Sequence, residues 1–305
     1  MFLLKWLVNS LSKPLTMSLF FIAFSMGNAS TFAASDIQTI QTAVTAFQTI
    51  GTLRRETPIN GDAIANAYAG VLQSLVVEID EENSLQLDSD ILAAIEEIKS
   101  GNEPSLAAQV VDKTLQRVFY QSFFNRITAI RDQFDSATSA TLIQILDETD
   151  AAFQAISGTA ARSNEVLSAD RKFIEEGSNP GLDVQINESF ARIRTALNKS
   201  NPTEDFATIA VERYVTRMAL ARAYYIGVLR EVRGVIGNRS SDLITARIQL
   251  KEGEVFYRII ESLVARDNPT GNALIKAQLA GNVSDVVADE IVSELSKGLI
   301  GRVKG

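Results

Sequence analysis

Apolar residues recur every three or four positions through most of the chain, which is the spacing of one face of an α-helix. No segment shows the alternating apolar and polar positions of a half-buried strand. Proline falls between the periodic runs, at positions 58, 104, 180, 202 and 269, where it can interrupt or start a helix. The predicted helices span 36–50, 61–79, 88–100, 104–132, 138–157, 162–176, 183–198, 203–236, 240–267, 271–280 and 283–300. The sequence therefore predicts an all-α fold, a multi-helix bundle.

The chain also contains an internal repeat at an offset of 100 residues. The matched pairs are Ala107 and Ala207, Val111 and Val211, Asp112 and Glu212, Lys113 and Arg213, Arg117 and Arg217, and Phe124 and Tyr224. With four more residues of offset, "LDETDAAFQAI" matches "LKEGEVFYRII", which pairs Glu148 with Glu252 and Asp150 with Glu254. This period is too long for a helical solenoid repeat. It predicts two pseudo-equivalent helical halves, residues 35–158 and 183–305, joined by a polar connecting segment, residues 159–182.

The N-terminus has the order of a secretory signal peptide. Lys5 and Lys13 precede an apolar run over residues 15–26, and small residues follow the run up to Ala34. The run is too short to span a bilayer. We therefore predict that residues 1–34 are a signal peptide and that the protein is secreted or periplasmic, with no membrane insertion after signal removal. A retained membrane anchor is the alternative.

Composition excludes much familiar chemistry. The chain carries a net charge of −8, which argues against nucleic acid as a partner, and it has no cysteine and no histidine. Catalytic triads with histidine, zinc sites made of histidine or cysteine, and the usual haem ligands cannot be built. Paired carboxylates could still cleave a glycosidic bond, but aromatic residues, at 7%, are too few for typical sugar platforms. A function without catalysis is the prediction.

Two predicted helices direct a carboxylate toward their own apolar face. Glu252 shares its face with Phe256, and Glu148 occupies the equivalent place in the first half. The preceding helix of each half carries an arginine on a largely apolar face, Arg117 or Arg217. Because a buried carboxylate must be paired or neutralised, one interpretation is two structural ion pairs, Arg117–Glu148 and Arg217–Glu252.

The other interpretation is a ferric iron site in the C-terminal half, since carboxylate and phenol oxygens are hard donors. The candidate ligands are Glu252, Glu254, Tyr224, Tyr225 and Tyr257. Arg217 would then hold a synergistic anion or balance the carboxylates. In the first half Arg117, Glu148 and Asp150 would be purely structural, because the positions aligned with the tyrosines lack phenol oxygens. Glu252 and Glu254 could share one ion only if the helix starts or bends at Gly253.

The segment "KEGEVFYRIIESLVARDNP", preceded by the tyrosine-bearing "RMALARAYYIGVLREV", resembles the family of algal iron-assimilating proteins and their bacterial relatives. These are secreted proteins, also described as high-CO2-inducible periplasmic proteins. The resemblance covers mainly Ala207 to Gly281, and its pattern is an E-G-x-x-F-Y-R helix followed by a polar turn. It implies a role in iron assimilation by binding, with a metal ion and a membrane transporter or surface protein as partners. The alternative is a non-catalytic structural or adaptor protein that binds another protein through its helical faces.

Overall fold

Helices account for nearly all of the structure. The computed structural model describes residues 37–169 and 181–299, so the predicted signal peptide and residues 170–180 of the connecting segment lie outside it. Within the described ranges there are eleven α-helices, a short 3-10 turn at Val283–Asp285 and no strand, which confirms the all-α prediction. The helices are α1 (Ile37–Leu53), α2 (Gly61–Tyr68), α3 (Val71–Asn83), α4 (Leu87–Ser100), α5 (Pro104–Asp132), α6 (Ser139–Ala169), α7 (Leu182–Ala196), α8 (Pro202–Asn238), α9 (Leu243–Asp267), α10 (Pro269–Leu279) and α11 (Ala288–Leu299).

Several helices begin at side chains that favour a helix start. Asn60 accepts a hydrogen bond from the Ala63 amide at 3.0 Å, and Asp242 accepts one from the Thr245 amide at 3.0 Å. Each side chain satisfies an amide that has no partner inside its helix. Proline occupies the first position of α5, α8 and α10, where its missing N–H costs nothing. These local signals explain why the starts of α5 and α8 were predictable.

At three places the predicted helices are divided or joined differently in the structure. The helix predicted over 61–79 is two helices, because Gly70 adopts φ 88°, a left-handed conformation that ends the helical path. The helices predicted over 138–157 and 162–176 are one continuous helix, α6, as far as the structure describes them. A Cβ added at Gly158 would meet no atom within 4 Å, so no close approach requires a glycine there, and the alanines that follow it favour helix. The last predicted helix is divided between the 3-10 turn and α11.

The two long central helices, α5 and α8, organise the packing. α5 packs on α6 and α9, and α8 packs on α7 and α9. Tyr224 of α8 contacts both α5 and α9. Its ring lies 5.7 Å from that of Tyr120 in α5 and 5.7 Å from that of Phe256 in α9. At Gly253 the helices α8 and α9 approach closely, since a Cβ there would lie 3.4 Å from the Glu231 Cβ. Side chains of α5, α8 and α9 therefore meet at one place in the interior.

The described parts of both predicted halves belong to one compact unit. The predicted equivalent pairs, α5 with α6 and α8 with α9, are each in direct contact. Their equivalence by duplication stays a prediction. None of the described helices combines the length and the apolar character needed to cross a membrane.

Candidate functional site

A group of buried charged and phenolic side chains lies where α5, α8 and α9 meet. We call it the Lys113 cluster; its members are Asp112, Lys113, Tyr224 and Glu231, which are buried, and Glu252, which is half-buried. Lys113 is only 3% exposed, and its ammonium lies 2.8 Å from Asp112 Oδ2 and 3.8 Å from Glu252 Oε1. The same nitrogen lies 5.3 Å from the centre of the Phe256 ring, within the range of a cation–π interaction. One lysine therefore bridges carboxylates from two helices.

Asp112 is held by several neighbours besides Lys113. Its Oδ1 lies 3.4 Å from Arg54 Nε at the end of α1, and its Oδ2 accepts a hydrogen bond from Gln116 Nε2 at 3.2 Å. Thr159 of α6 donates in turn to Gln116 Oε1 at 3.0 Å. A buried carboxylate with this many partners has a fixed position. The Asp112 carboxylate therefore has the best-defined position in the cluster.

Glu252 is less well compensated. Its side chain is 12% exposed, and burial raises the pKa of its carboxyl group above the ordinary value. The ammonium of Lys113 opposes that shift, whereas the carboxylates of Glu231 and Asp112 add to it. Glu231 is buried and is hydrogen-bonded by Arg230, whose Nε donates at 2.9 Å. Lys113 thus lies near two carboxylates, those of Asp112 and Glu252, while the third, Glu231, is paired with Arg230.

Tyr224, whose ring packs against Phe256, carries a polar group without a partner. Its side chain is fully buried, and its hydroxyl has no hydrogen-bond partner among the described residues. Burial raises the pKa of this phenol, and the nearby Tyr120 and Asp112 raise it further. A buried hydroxyl that makes no hydrogen bond is costly and requires an explanation. A ligand that takes up this oxygen would supply one.

The other three predicted iron ligands are engaged elsewhere. The Tyr257 hydroxyl donates to Asn272 Oδ1 at 2.7 Å, and the Tyr225 hydroxyl lies 3.4 Å from Ser296 Oγ. Glu254 is paired with Lys251 at 2.7 Å and with Arg258 at 2.5 Å. Gly253 lies inside α9, ten residues after its start, so the helix start that would let Glu252 and Glu254 share an ion is absent. Of the predicted set, Glu252 and Tyr224 are the two that lie in the Lys113 cluster.

In the first half, the predicted inward carboxylate is found but its predicted partner is wrong. Glu148 is fully buried, and its Oε2 lies 3.3 Å from Nε of Arg126, which is also fully buried. Arg117 lies on another side of α5, near Arg258 and Glu261, and burial lowers the pKa of its guanidinium. Asp150 accepts a hydrogen bond from Gln154 on its own helix at 2.9 Å.

Arg217 is likewise not the partner of Glu252. Its guanidinium lies over the Phe124 ring, 4.4 Å from the ring centre, and its charge opposes the rise that burial causes in the pKa of Tyr120. The cation near Glu252 is Lys113 at 3.8 Å. Arg217 Nε is buried without a hydrogen bond among the described residues, so this arginine retains a donor for an anion.

The sequence-based prediction did not include Asp112, Lys113 or Glu231. One signal was present, because the repeat pairs Asp112 with Glu212, and both of these carboxylates are buried. Glu212 receives hydrogen bonds from Arg192, whose Nε lies 2.6 Å away. The predicted alignment thus placed two acids at positions that are both buried in the structure.

The carboxylates alone do not form a metal site. Among residues 37–169 and 181–299, no three acidic side chains converge closely enough to hold an ion. A hard-cation site at this place would therefore need a donor in addition to Asp112 and Glu252, and the side chains would have to move.

Comparison with known proteins gives no relative from which a function could be inferred. No protein-family model matches this chain, and neither does any curated protein or any solved structure.

Proposed function

We propose that this protein binds ferric iron at the Lys113 cluster and serves iron assimilation outside the cytoplasm, without catalysing a reaction. The observation that carries the proposal is the fully buried Tyr224 hydroxyl, which has no hydrogen-bond partner among the described residues. Burial raises the pKa of this phenol, and the charge of Asp112 adds to the rise. Phenol and carboxylate oxygens are the hard donors that suit ferric iron. The resemblance of residues 207–281 to algal iron-assimilating proteins supports the same function.

The proposed ligands come from three helices. Asp112 of α5, Tyr224 of α8 and Glu252 of α9 would supply one donor side chain each, with Glu231 as a further carboxylate nearby. Arg54 and Arg230 already pair with Asp112 and Glu231 and would balance part of the negative charge. Ligands on three different helices would make iron binding tighten the packing of α5 against α8 and α9, because a bound ion stabilises only the folded state.

We expect Tyr224→Phe to have opposite effects on iron binding and on stability. The variant should lose the visible charge-transfer band of a ferric phenolate when iron is added, since the phenol oxygen is gone. Without iron it should be more stable than the wild type by about 1 kcal/mol, because an unsatisfied buried hydroxyl is removed. Titration with ferric nitrilotriacetate, followed by absorbance, and thermal unfolding of both proteins would measure the two effects.

Tyr225→Phe is the matched control, because its hydroxyl lies near Ser296 and outside the cluster. It should keep the absorbance band and the iron affinity of the wild type. A wild-type protein that takes up no ferric iron, in the titration or in elemental analysis, would refute the proposed function.

A second candidate function, an adaptor that binds another protein through a helical face, is favoured by a separate surface. On the first half of α8, Phe206, Val211 and Tyr214 are 41%, 57% and 52% exposed. The positions one hundred residues earlier, Val111 and Thr114, are buried under other helices. Exposed apolar side chains grouped on one helix face commonly mark a binding surface.

If this face is free in the isolated protein, Val211→Glu should change the free energy of unfolding by no more than about 0.5 kcal/mol. The variant should also remain as soluble as the wild type. Chemical denaturation of the two proteins is the measurement. A loss well above this value would mean that Val211 is packed against another part of the chain, and the adaptor function would lose its surface.

A further inference from the structure

We propose that Arg213 and Arg217 form a binding site for a doubly charged oxyanion, of which the phosphate group is the simplest. The two arginines lie one turn apart on α8, and both guanidinium groups lie over the Phe124 ring of α5. Their central carbons are 5.2 and 4.4 Å from the ring centre. The site shares no residue with the Lys113 cluster, and anion binding here would not depend on iron.

Neither guanidinium group is paired with a carboxylate among residues 37–169 and 181–299. Arg213 Nε donates instead to a neutral oxygen, Thr128 Oγ1, at 3.0 Å, which fixes the position of the group. Asp132, the acid whose charge acts on Arg213, is paired with Arg131. An anion can therefore bind the two arginines without first breaking an ion pair that they make.

The positive charges at this place repel one another. Burial lowers the pKa of the Arg213 guanidinium, and the charges of Arg131 and Arg217 lower it further, whereas Asp132 opposes them. Like charges four residues apart on a helix destabilise it. Three arginines and one aspartate leave two positive charges without compensation. A ligand with two negative charges would remove this repulsion, and that defines the class of anion.

Arg217 also carries a hydrogen-bond donor that has no acceptor. Its Nε is buried and makes no hydrogen bond among the described residues. A buried donor of a charged group is costly to leave unsatisfied. The side chain as a whole is half-buried, so a solute can reach its outer edge. Because the guanidinium fork matches the oxygens of phosphate and carboxylate groups, an oxyanion is the ligand that satisfies it best.

The surface next to the two arginines indicates what the anion could carry. Val211 and Tyr214 are 57% and 52% exposed, and Tyr214 lies three residues before Arg217, on the same side of α8. An apolar group attached to the phosphate would cover these side chains. The phosphate could therefore be free or part of an ester with an apolar body, and the two sources differ in the affinity they predict.

Titration calorimetry of the full-length, iron-free protein with inorganic phosphate and with phenyl phosphate tests the proposal. We expect the wild type to bind phosphate, and Arg217→Gln and Arg213→Gln each to bind it at least about tenfold more weakly, since each loses charge-assisted hydrogen bonds. Phosphate should also raise the melting temperature of the wild type. Tighter binding of phenyl phosphate would assign an ester as the ligand, and equal affinities would assign free phosphate.

Arg247→Gln is the matched control. This exposed arginine on α9 is paired with Glu103, so its loss changes the net charge by the same amount at another place. Its phosphate affinity should equal that of the wild type. A wild type that binds neither probe would overturn the inference, as would equal phosphate affinity in the wild type, Arg213→Gln and Arg217→Gln. The iron titrations are unaffected by either result, because they concern other residues.

A second measurement needs no variant. Phenylglyoxal modifies arginine side chains, and a bound oxyanion should slow its reaction with Arg213 and Arg217 at least about threefold, because the anion occupies the guanidinium edge. Peptide mass spectrometry would quantify the modification, with Arg247 as the internal reference. Equal modification of Arg213 and Arg217 with and without saturating phosphate would contradict the proposed site.

Discussion

Replacing Arg126 by methionine is expected to lower the free energy of unfolding by about 3–5 kcal/mol, the cost of leaving one member of a buried ion pair without its partner. Arg126 and Glu148 are both fully buried, with Nε and Oε2 3.3 Å apart, and Arg126 also donates to Ser122 Oγ at 2.6 Å. The Glu148 carboxylate would have to protonate or draw in water. Urea denaturation of the purified variant measures the loss.

The double variant Arg126→Met with Glu148→Leu tests whether the loss of stability comes from the unpaired Glu148 carboxylate. Replacing a whole buried ion pair by apolar residues is often neutral or stabilising, so the double variant should recover most of the loss. If Arg126→Met lowers the free energy of unfolding by less than about 1 kcal/mol, the ion pair contributes little to stability. The interpretation of Glu148 as a structural residue would then be wrong.

Glu252→Gln is expected to weaken ferric binding by more than about a hundredfold. Losing a residue that only supports a ligand typically weakens metal binding by about 10–100-fold, and the loss of a direct ligand should exceed this. The amide keeps the size of the side chain but removes the negative charge that attracts iron. Glu148→Gln is the control in the other half and should retain the iron affinity of the wild type. Equal affinity in Glu252→Gln and wild type, with a clear drop in melting temperature, would leave Glu252 as only the ion-pair partner of Lys113.

The same variant should change how stability depends on pH. Because burial raises the pKa of Glu252 in the folded protein, the unfolded chain gives up this proton at a lower pH than the folded protein does. Stability from this group is therefore full below the ordinary pKa of 4.5 and falls as the pH rises through the raised folded pKa. Glu252→Gln lacks this loss. Melting temperatures from pH 4 upward should fall less in the variant, and a steeper fall in the variant would contradict the assignment.

Most of the helices were predictable because their signals are local. The apolar spacing together with Pro104 and Pro202 predicted α5 within the same residues and α8 within two residues at either end. The break at Gly70 was missed because it depends on a left-handed backbone angle, which no side-chain pattern marks. The continuation of α6 through Gly158 was missed because its small residues resemble a loop, yet Ala160 is fully buried and holds the helix to the core.

Part of the candidate site was predictable, namely that Glu148 and Glu252 point inward. Their partners were not, because helical spacing gives the direction of a side chain on its own helix and not which neighbour it meets. Arg117 and Arg126 are nine residues apart, which places them on opposite faces of α5, and the packing of α6 decides that Arg126 meets Glu148. Lys113 was missed for the same reason, since its partner Glu252 belongs to a helix far along the chain.

The absence of a side chain at Gly253 has a consequence for how closely two helices pack. At this point α8 and α9 leave room for little more than one added methyl group, because its carbon would lie 3.4 Å from the Glu231 Cβ. A residue bulkier than alanine at position 253 would therefore push α8 and α9 apart. Since Glu231 belongs to α8 and Glu252 to α9, such a substitution would also change the surroundings of the Glu252 carboxylate.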